Sequence, residues 1–360
     1  MIRRQRIRYL RTSDGVQLAW ADAGTGQTLV KAANWLTHLD YDWDSPVWRH
    51  WIQFLTTRFH LVRYDERGCG MTDWHVGDLS FDRWVTDLET VADVAAARTF
   101  ILLGVSQGAA TCVAYAVKHP ERVSRMVLYG GYVRGAAVRG TEAQAREFAA
   151  LVELARLGWG RPHSAFRDVF TSRFIPDATD QQVEWFSDLC RKTTSPEIAG
   201  ELLERRSRIN VTDLLELVRV PTLVLHARDD MVVPVAEARL IAARIPGAQF
   251  VELDSRNHIL LEQEPAWQRF CAAVLDFTGL APGQQEDPAF GALSDRERAI
   301  LTLMADGLSN AAIADHLALS EKTVRNHVSK IFDKLGVWSR AQAIVFAHDH
   351  GFKAPRDPSV

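Results

Sequence analysis

The sequence predicts a mostly parallel β-sheet with helices on both faces and a helical cap insertion, followed by a small all-α four-helix domain. Three observations predict this. Two alternating runs open the chain, and compact apolar runs then alternate with helical patterns, which implies a mostly parallel sheet. A long stretch from about Gly135 to Val218 breaks that rhythm and carries no clear strand. Beyond Leu293, start and stop signals mark four short helices in succession.

Gln5–Thr12 and Val16–Asp22 alternate around Ser13-Asp14-Gly15, an Asp-Gly hairpin signal. Leu29–Ala33, His60–Tyr64, Phe100–Val105, Arg125–Tyr129, Thr222–His226 and Phe250–Leu253 read as buried strands. Helical patterns cover Pro46–Thr57, Phe81–Ala97, Gln107–His119, Val235–Arg244 and Pro265–Phe277. The insertion carries Phe148, Trp159, Phe166, Phe170, Phe174, Trp185 and Phe186. Most of these are expected to pin it to the core, and a few to face an apolar cavity. The Trp-rich stretch Asn34–Trp51 reads as packing at the sheet edge, and Arg205-Arg206-Ser207-Arg208 as a solvated helix face. From Thr278 to Ala292 the run TGLAPGQQEDPAFGA is a linker composition. The expected organisation is therefore residues 1–279 as the sheet domain with a cap at about 135–218, a linker at 280–291, and residues 292–360 as the helical domain.

In that last domain Ser294 and Glu297 form a capping-box pattern, and Gly307 ends the first helix. Ser309 opens a second helix with Ile313 and Leu317 inward. After Ala318-Leu319, Ser320 caps a third, in which Val324, Val328, Ile331 and Leu335 recur at helical spacing. Gly336 stops it, and Ser339 with Gln342 caps a fourth. Two short helices around a tight turn, the second with a polar face, are what a helix-turn-helix needs to enter a major groove.

The chain of 360 residues is 47% apolar and 24% charged, ordinary for a globular protein. Its formal net charge of −3 excludes a polycation, so any nucleic-acid affinity must come from a local patch. Cys69, Cys112, Cys190 and Cys271 are scattered without ligand spacing, and no metal or cofactor site is expected. MIRRQRIRYL leads into no apolar run, and no stretch is long enough to span a bilayer, so a cytoplasmic protein without membrane contact is expected. His38, His50, His60, His75 and His163 lie on no motif and read as surface or satisfied core groups.

Gly104-Val105-Ser106-Gln107-Gly108 stands where the strand FILLGV meets the helix GAATCVAYAV, the setting of a nucleophile elbow. A serine needs a base and an orienting carboxylate, and these follow in the order Ser, Asp, His. Asp229 and Asp230 lie just past one strand, and His258 follows another. One helix and one strand between them return both groups to the same sheet edge. Over roughly Arg8 to Gly279 these residues resemble the α/β-hydrolase superfamily, its esterase and haloperoxidase-like branches in particular.

The resemblance implies an α/β hydrolase fold and a Ser106–Asp230–His258 triad, with Asp229 the alternative acid. Tyr64-Asp65-Glu66-Arg67-Gly68-Cys69-Gly70 matches the superfamily's Asp-x-Arg-Gly-x-Gly loop, for which a structural turn and ion pairing are expected. The superfamily's oxyanion hole falls on the backbone N–H groups of Trp35 and Gln107, although Ala33-Asn34 replaces the usual His-Gly. Losing one such donor costs about 100-fold or more in rate.

Leu293 to Ala347 resembles the C-terminal domain of LuxR-type regulators. The resemblance points Arg325, Asn326 and Ser329 of the third helix at base edges, the first two suited to guanine and adenine. Lys322, Thr323, Lys330 and Asn310 complete the expected DNA-binding set, with Thr323, Lys330 and Asn310 placed for phosphate. His327 reads as a packing residue. Asp295, Asp306, Asp315 and Asp333 bring the domain close to neutrality, so a homodimer through the fourth helix, Ala341 to His348, is expected on double-stranded DNA. The pairing of domains implies a regulator that senses a small, apolar acyl, ester or lactone-like ligand. The other reading is an active serine hydrolase with an appended DNA-binding domain.

Overall fold

The computed structural model describes residues 4–95, 98–161, 165–280, 290, 292–317, 319–349 and 352. His163, Ala318, the expected end of the helix at residues 96–97, and the linker apart from Leu280 and Phe290 lie outside them. The chain divides into two compact units, Met1–Val274 and Leu275–Val360.

The first unit is built on eight strands: β1 (Arg6–Arg11), β2 (Gln17–Ala23), β3 (Thr28–Lys31), β4 (His60–Tyr64), β5 (Phe100–Val105), β6 (Val123–Tyr129), β7 (Thr222–Ala227) and β8 (Gln249–Leu253). They form one sheet in the order β1-β2-β4-β3-β5-β6-β7-β8. Only the β1–β2 and β2–β4 pairings are antiparallel. Every residue of β5 and β7 is buried, as the interior of a covered parallel sheet requires. Helices α1 (Arg49–Arg58), α2 (Phe81–Ala95) and α3 (Gly108–Lys118) alternate with the first strands.

Between β6 and β7 the chain makes α4 (Ala136–Arg139), α5 (Glu142–Gly158), α6 (Ala165–Phe174), α7 (Asp180–Thr193) and α8 (Pro196–Ser207). Reciprocal capping boxes start α5 at Thr141/Gln144 and α7 at Thr179/Gln182. Trp159, Phe166, Phe170, Phe174 and Phe186 are buried, whereas Phe148 and Trp185 are half-buried. Helices α9 (Val235–Arg244) and α10 (Pro265–Thr278) follow β7 and β8.

Arg67 ties the N-terminal hairpin to this framework. Its fully buried guanidinium donates to Asp87 of α2 through Nε and Nη2, both at 2.7 Å. Nη1 donates to Asp14 in the β1–β2 turn at 2.9 Å and to the Asp78 carbonyl at 2.8 Å. Neighbouring Asp65 accepts the N–H groups of Leu39 and Met71, each at 2.9 Å.

The second unit holds α11 (Asp295–Ala305), α12 (Asn310–His316), α13 (Glu321–Leu335) and α14 (Arg340–Asp349). Ser294, Ser309 and Ser320 each cap the helix they precede, and Gly336 ends α13 at φ 66°. Ile300, Leu301, Met304, Ile313, Val324, Val328, Ile331, Leu335 and Ala343 share one core.

Replacing Arg67 by Met would leave Asp87 buried without its countercharge. Urea unfolding of the full chain should show the first unit destabilised by about 3–5 kcal/mol. An unchanged midpoint would show that Arg67 does not hold the hairpin.

Candidate active site and nucleic-acid interface

Ser106 lies at φ 54°, and it is the one positive-φ residue other than glycine among those described. The elbow is tight enough that a Cβ on Gly104 would lie 2.8 Å from the Ala109 Cα. The Ser106 N–H donates to the Tyr129 carbonyl at 3.0 Å, fixing the turn to β6. His258, in the loop after β8, approaches Ser106 Oγ with Nε2 at 3.0 Å and Asp230 Oδ2 with Nδ1 at 2.7 Å. All three are buried, at 7%, 9% and 1% exposure for Ser106, Asp230 and His258.

Asp230 Oδ1 in turn accepts the Val232 and Val233 N–H groups, at 2.8 and 2.9 Å. Asp229, the alternative acid, is exposed. Burial pushes the Asp230 carboxyl up, but the charge and hydrogen bond of His258 outweigh it and leave the group below the usual carboxylate value. An ionised Asp230 can only accept, so Nδ1 carries the imidazole proton and Nε2 is left to accept the serine hydroxyl.

Several neighbours of this relay have no sequence signal. His226 of β7 lies 3.5 Å from Asp230 Oδ2, and its Nε2 bonds the Val233 carbonyl at 2.9 Å. Burial lowers its pKa, so it stands by the carboxylate as a neutral ring. Phe174 of α6 stands edge-on to His258, ring centroids 5.2 Å apart, while its carbonyl accepts the His258 N–H at 2.9 Å. Asn257 is buried and donates toward Glu264 at 3.3 Å.

The loop after β3 is held by side chains. The buried Lys31 amine donates to Asn34 Oδ1. The Trp35 N–H donates to the side-chain Oε1 of Gln107 at 3.2 Å. Gln107 Nε2 donates to Glu66 Oε2 at 3.3 Å, which also accepts Arg206 Nη2 at 2.5 Å. The backbone N–H of Gln107 makes no hydrogen bond to protein among the described residues.

This corrects the reading of Arg205-Arg206-Ser207-Arg208 as a solvated face. Arg205 and Arg208 are exposed and pair with Glu201 and Glu204, but Arg206 turns inward and is 4% exposed. Among the described residues, His50 bonds the Leu260 carbonyl, His38 and His60 are hydrogen-bonded, and His75 is exposed.

In the second unit α13 presents Lys322, Arg325, Asn326, Ser329 and Lys330 to solvent, with Thr323 half-buried. Val324, Val328, Ile331 and Leu335 turn the other way. Thr323 Oγ1 lies 2.8 Å from the capping Ser320 hydroxyl, and Asn310 Oδ1 accepts Arg340 Nη1 at 2.9 Å. Arg340 thus shares the start of α12 with Asn310, a neighbour that sequence spacing did not reveal. His327 is half-buried. Among the described residues no three His, Cys, Asp or Glu could together hold a metal ion, and no helix is long and apolar enough to cross a membrane.

The family model described as serine aminopeptidase, S33, matches residues 49–265. The chain belongs to the α/β hydrolases. A hydrolase from Pseudomonas aeruginosa superimposes with a TM-score of 0.63 at 26% identity, over 76% of this chain and 98% of that one. Pyrrolizixenacetamide deacetylase of Xenorhabdus hominickii is 27% identical over 222 residues, covering 61% of this chain and 80% of that protein. The model of bacterial regulatory proteins, luxR family, matches residues 291–347, so this chain carries a LuxR-type helix-turn-helix domain, which implies a transcription regulator. DNA-binding transcriptional activator DevR/DosR of Mycobacterium tuberculosis is 47% identical over 75 residues, 21% of this chain. The chain spans about a third of that relative's length, 33%.

Lys334 of α13 reaches Glu297 of α11 at 2.6 Å, and this bond, with the Ser294 cap, holds the Glu297 carboxyl down at about 2. A depressed carboxyl stabilises the fold above its ordinary value of 4.5 and loses that contribution as pH falls toward 2. Glu297→Gln should therefore weaken hydrogen-exchange protection of Glu321–Leu335 at about pH 6, with the difference from wild type shrinking below about pH 4.5. A pH-independent difference would mean that the charge of Glu297 is not what anchors α13.

Proposed function

We propose that the protein is a ligand-responsive transcriptional regulator in which the α/β-hydrolase unit is the sensor and the LuxR-type unit the effector. In this reading residues 1–279 form the sensor with its cap at about 135–218, residues 280–291 the linker, and residues 292–360 the DNA-binding domain. The observation that carries it is the oxyanion loop. The Trp35 N–H, which would receive an acyl oxygen, already bonds the Gln107 side chain inside the same chain that carries an exposed LuxR-type recognition face. A ligand carbonyl would take the place of that carboxamide and so distinguish a liganded from an unliganded state.

The intact relay favours a second reading, an active serine hydrolase with a regulatory DNA head. Its 2.7 and 3.0 Å bonds fit a triad in which His258 takes the Ser106 proton and Asp230 holds the imidazolium. Attack of Oγ on an ester or lactone carbonyl, with the backbone N–H groups of Gln107 and Trp35 facing the oxyanion, would break the C–O bond to the alcohol, which takes the proton from His258 and leaves an acyl-enzyme. Water would then release the acid and restore Ser106. The relative named a deacetylase supports acyl chemistry of this class.

On DNA, Arg325, Asn326 and Ser329 would read bases, with Lys322, Thr323, Lys330 and Asn310 on phosphates. Helix α14 exposes Ala341 and Val345, and Trp338 just before it is 88% exposed, a surface suited to a homodimer.

One measurement separates the readings, and a second tests the DNA-reading helix common to both. Hydrolysis of short acyl esters and lactones should fall to background in Ser106→Ala if the triad turns over; equal rates for the two proteins would remove the enzyme reading. Arg325→Ala should weaken binding to the protein's own promoter DNA by about 1–3 kcal/mol and relax preference at one base pair. Unchanged affinity and preference would show that α13 is not the reading helix.

A further inference from the structure

The wall of the site beside Trp35 holds an excess of buried donors. Among the described residues, Arg206 Nε and Nη1 have no protein partner, and neither do the indole Nε1 atoms of Trp35, Trp84 and Trp159. These residues touch one another. The Arg206 guanidinium lies 4.8 Å from the Trp35 ring and 5.4 Å from the Trp84 ring, and Trp35 stacks on Trp159 at 5.0 Å. The one unpaired acceptor in the group is Glu66 Oε1, whose other oxygen already takes Arg206 Nη2.

The fold invests in this placement. A Cβ on Gly135 would lie 2.2 Å from the Arg206 carbonyl, so the chain leaving β6 passes close enough to α8 only because it is bare there. A buried guanidinium left with unpaired N–H groups is costly, so its position calls for a reason.

Donors without acceptors are complemented by a group that only accepts. We propose that Arg206, with the indole N–H groups around it, is a subsite for a carboxylate carried by the ligand, next to the acyl group that Ser106 faces. The proposal rests on the acyl-ligand reading above and narrows it from a purely apolar compound to the half-ester, half-amide or lactone of a dicarboxylic acid. Glu66 tempers the cation while the site is empty, so the entering anion competes with an internal carboxylate. The Trp35–Trp159 stack joins the oxyanion loop to the end of α5, so a carboxylate reaching Arg206 contacts cap and loop together.

The test uses the full chain and two esters of equal chain length, mono-4-nitrophenyl glutarate and 4-nitrophenyl valerate. Wild type should favour the charged ester by roughly 10- to 100-fold in kcat/KM, the size of a charge-assisted hydrogen bond. The ratio should collapse toward one in the charge-neutral pair Glu66→Gln/Arg206→Gln, and rise in Glu66→Gln alone, which removes the internal competitor. A general loss of turnover would not move this ratio. Ser106-dependent turnover of both esters without preference overturns the carboxylate subsite while leaving the hydrolase reading intact.

If neither ester is turned over, the hydrolase reading fails and binding decides. Glutarate should raise the thermal midpoint of wild type and, by more, of Glu66→Gln, but not of the double variant. No glutarate-dependent shift in wild type, or the same shift in the double variant, overturns the proposal.

Discussion

The site depends on one backbone constraint, the left-handed turn at Ser106. A residue with a Cβ held in that region costs about 1–3 kcal/mol and persists only where its surroundings over-determine it. Here they do. β5 is the buried strand between β3 and β6, the Ser106 N–H is taken by Tyr129, and α3 starts within two residues. Because β3, β5, β6, β7 and β8 run parallel, the loops that leave their C-terminal ends emerge on the same edge. Trp35, Ser106, Asp230 and His258 all come from such loops. The strained serine therefore meets its partners without further adjustment of the chain.

The cap sets the chemical environment of those partners. Phe174 both meets the His258 ring edge-on and binds its backbone, so α6 and the imidazole cannot shift independently. In a site this buried each hydrogen bond of the relay is stronger than it would be in water, and each unpaired group is costlier. The Gln107 carboxamide gives the loop after β3 an internal partner in that setting. Exchanging it for an acyl oxygen trades one neutral hydrogen bond for another, close to balance in a ground state. The exchange becomes favourable as charge develops on the oxygen, since bonds to charged groups are the stronger. One loop can thus serve a binder that responds to a carbonyl and a catalyst that responds to an oxyanion.

What was legible in the sequence was local. Caps at Ser294, Ser309 and Ser320, the Asp-Gly hairpin, and the glycine-flanked elbow each depend on neighbours a few residues away. The sheet followed from the rhythm of apolar runs, and the order Ser, Asp, His from residues at strand ends. Arg206 was not legible for a geometric reason. Arg205 and Arg208 pair with Glu201 and Glu204 four residues earlier, the pattern of a solvated helix, and Arg206 shares their composition but points a third of a turn away. Its partner Glu66 lies 140 residues distant, in a loop whose motif reads as a turn. Lys31 with Asn34 and Gln107 with Trp35 were hidden likewise, since a side chain that completes a backbone loop leaves no periodic trace.

The two units pose a coupling question whose terms the chemistry restricts. A ligand changes DNA binding only by the difference in its affinity for two states of the protein. In the first unit, contacts that join cap to sheet edge and could differ include Trp35 on Trp159, Phe174 on His258, Arg206 on Glu66 and Arg256 on Asp177. Of the two charged pairs Arg206 with Glu66 is the buried one, and it bridges the cap helix α8 to the loop after β4. An anion entering there redistributes charge at the joint itself, whereas an apolar ligand alters packing alone. Charges at a buried joint interact more strongly than they would in water, so in the proposed reading a carboxylate would add an electrostatic difference between states that an apolar ligand lacks. In the proposed reading α13 would need such a lever, because its exposed Lys322, Arg325 and Lys330 are offset by Glu321 and Asp333, and a modest phosphate affinity would be easily tipped either way.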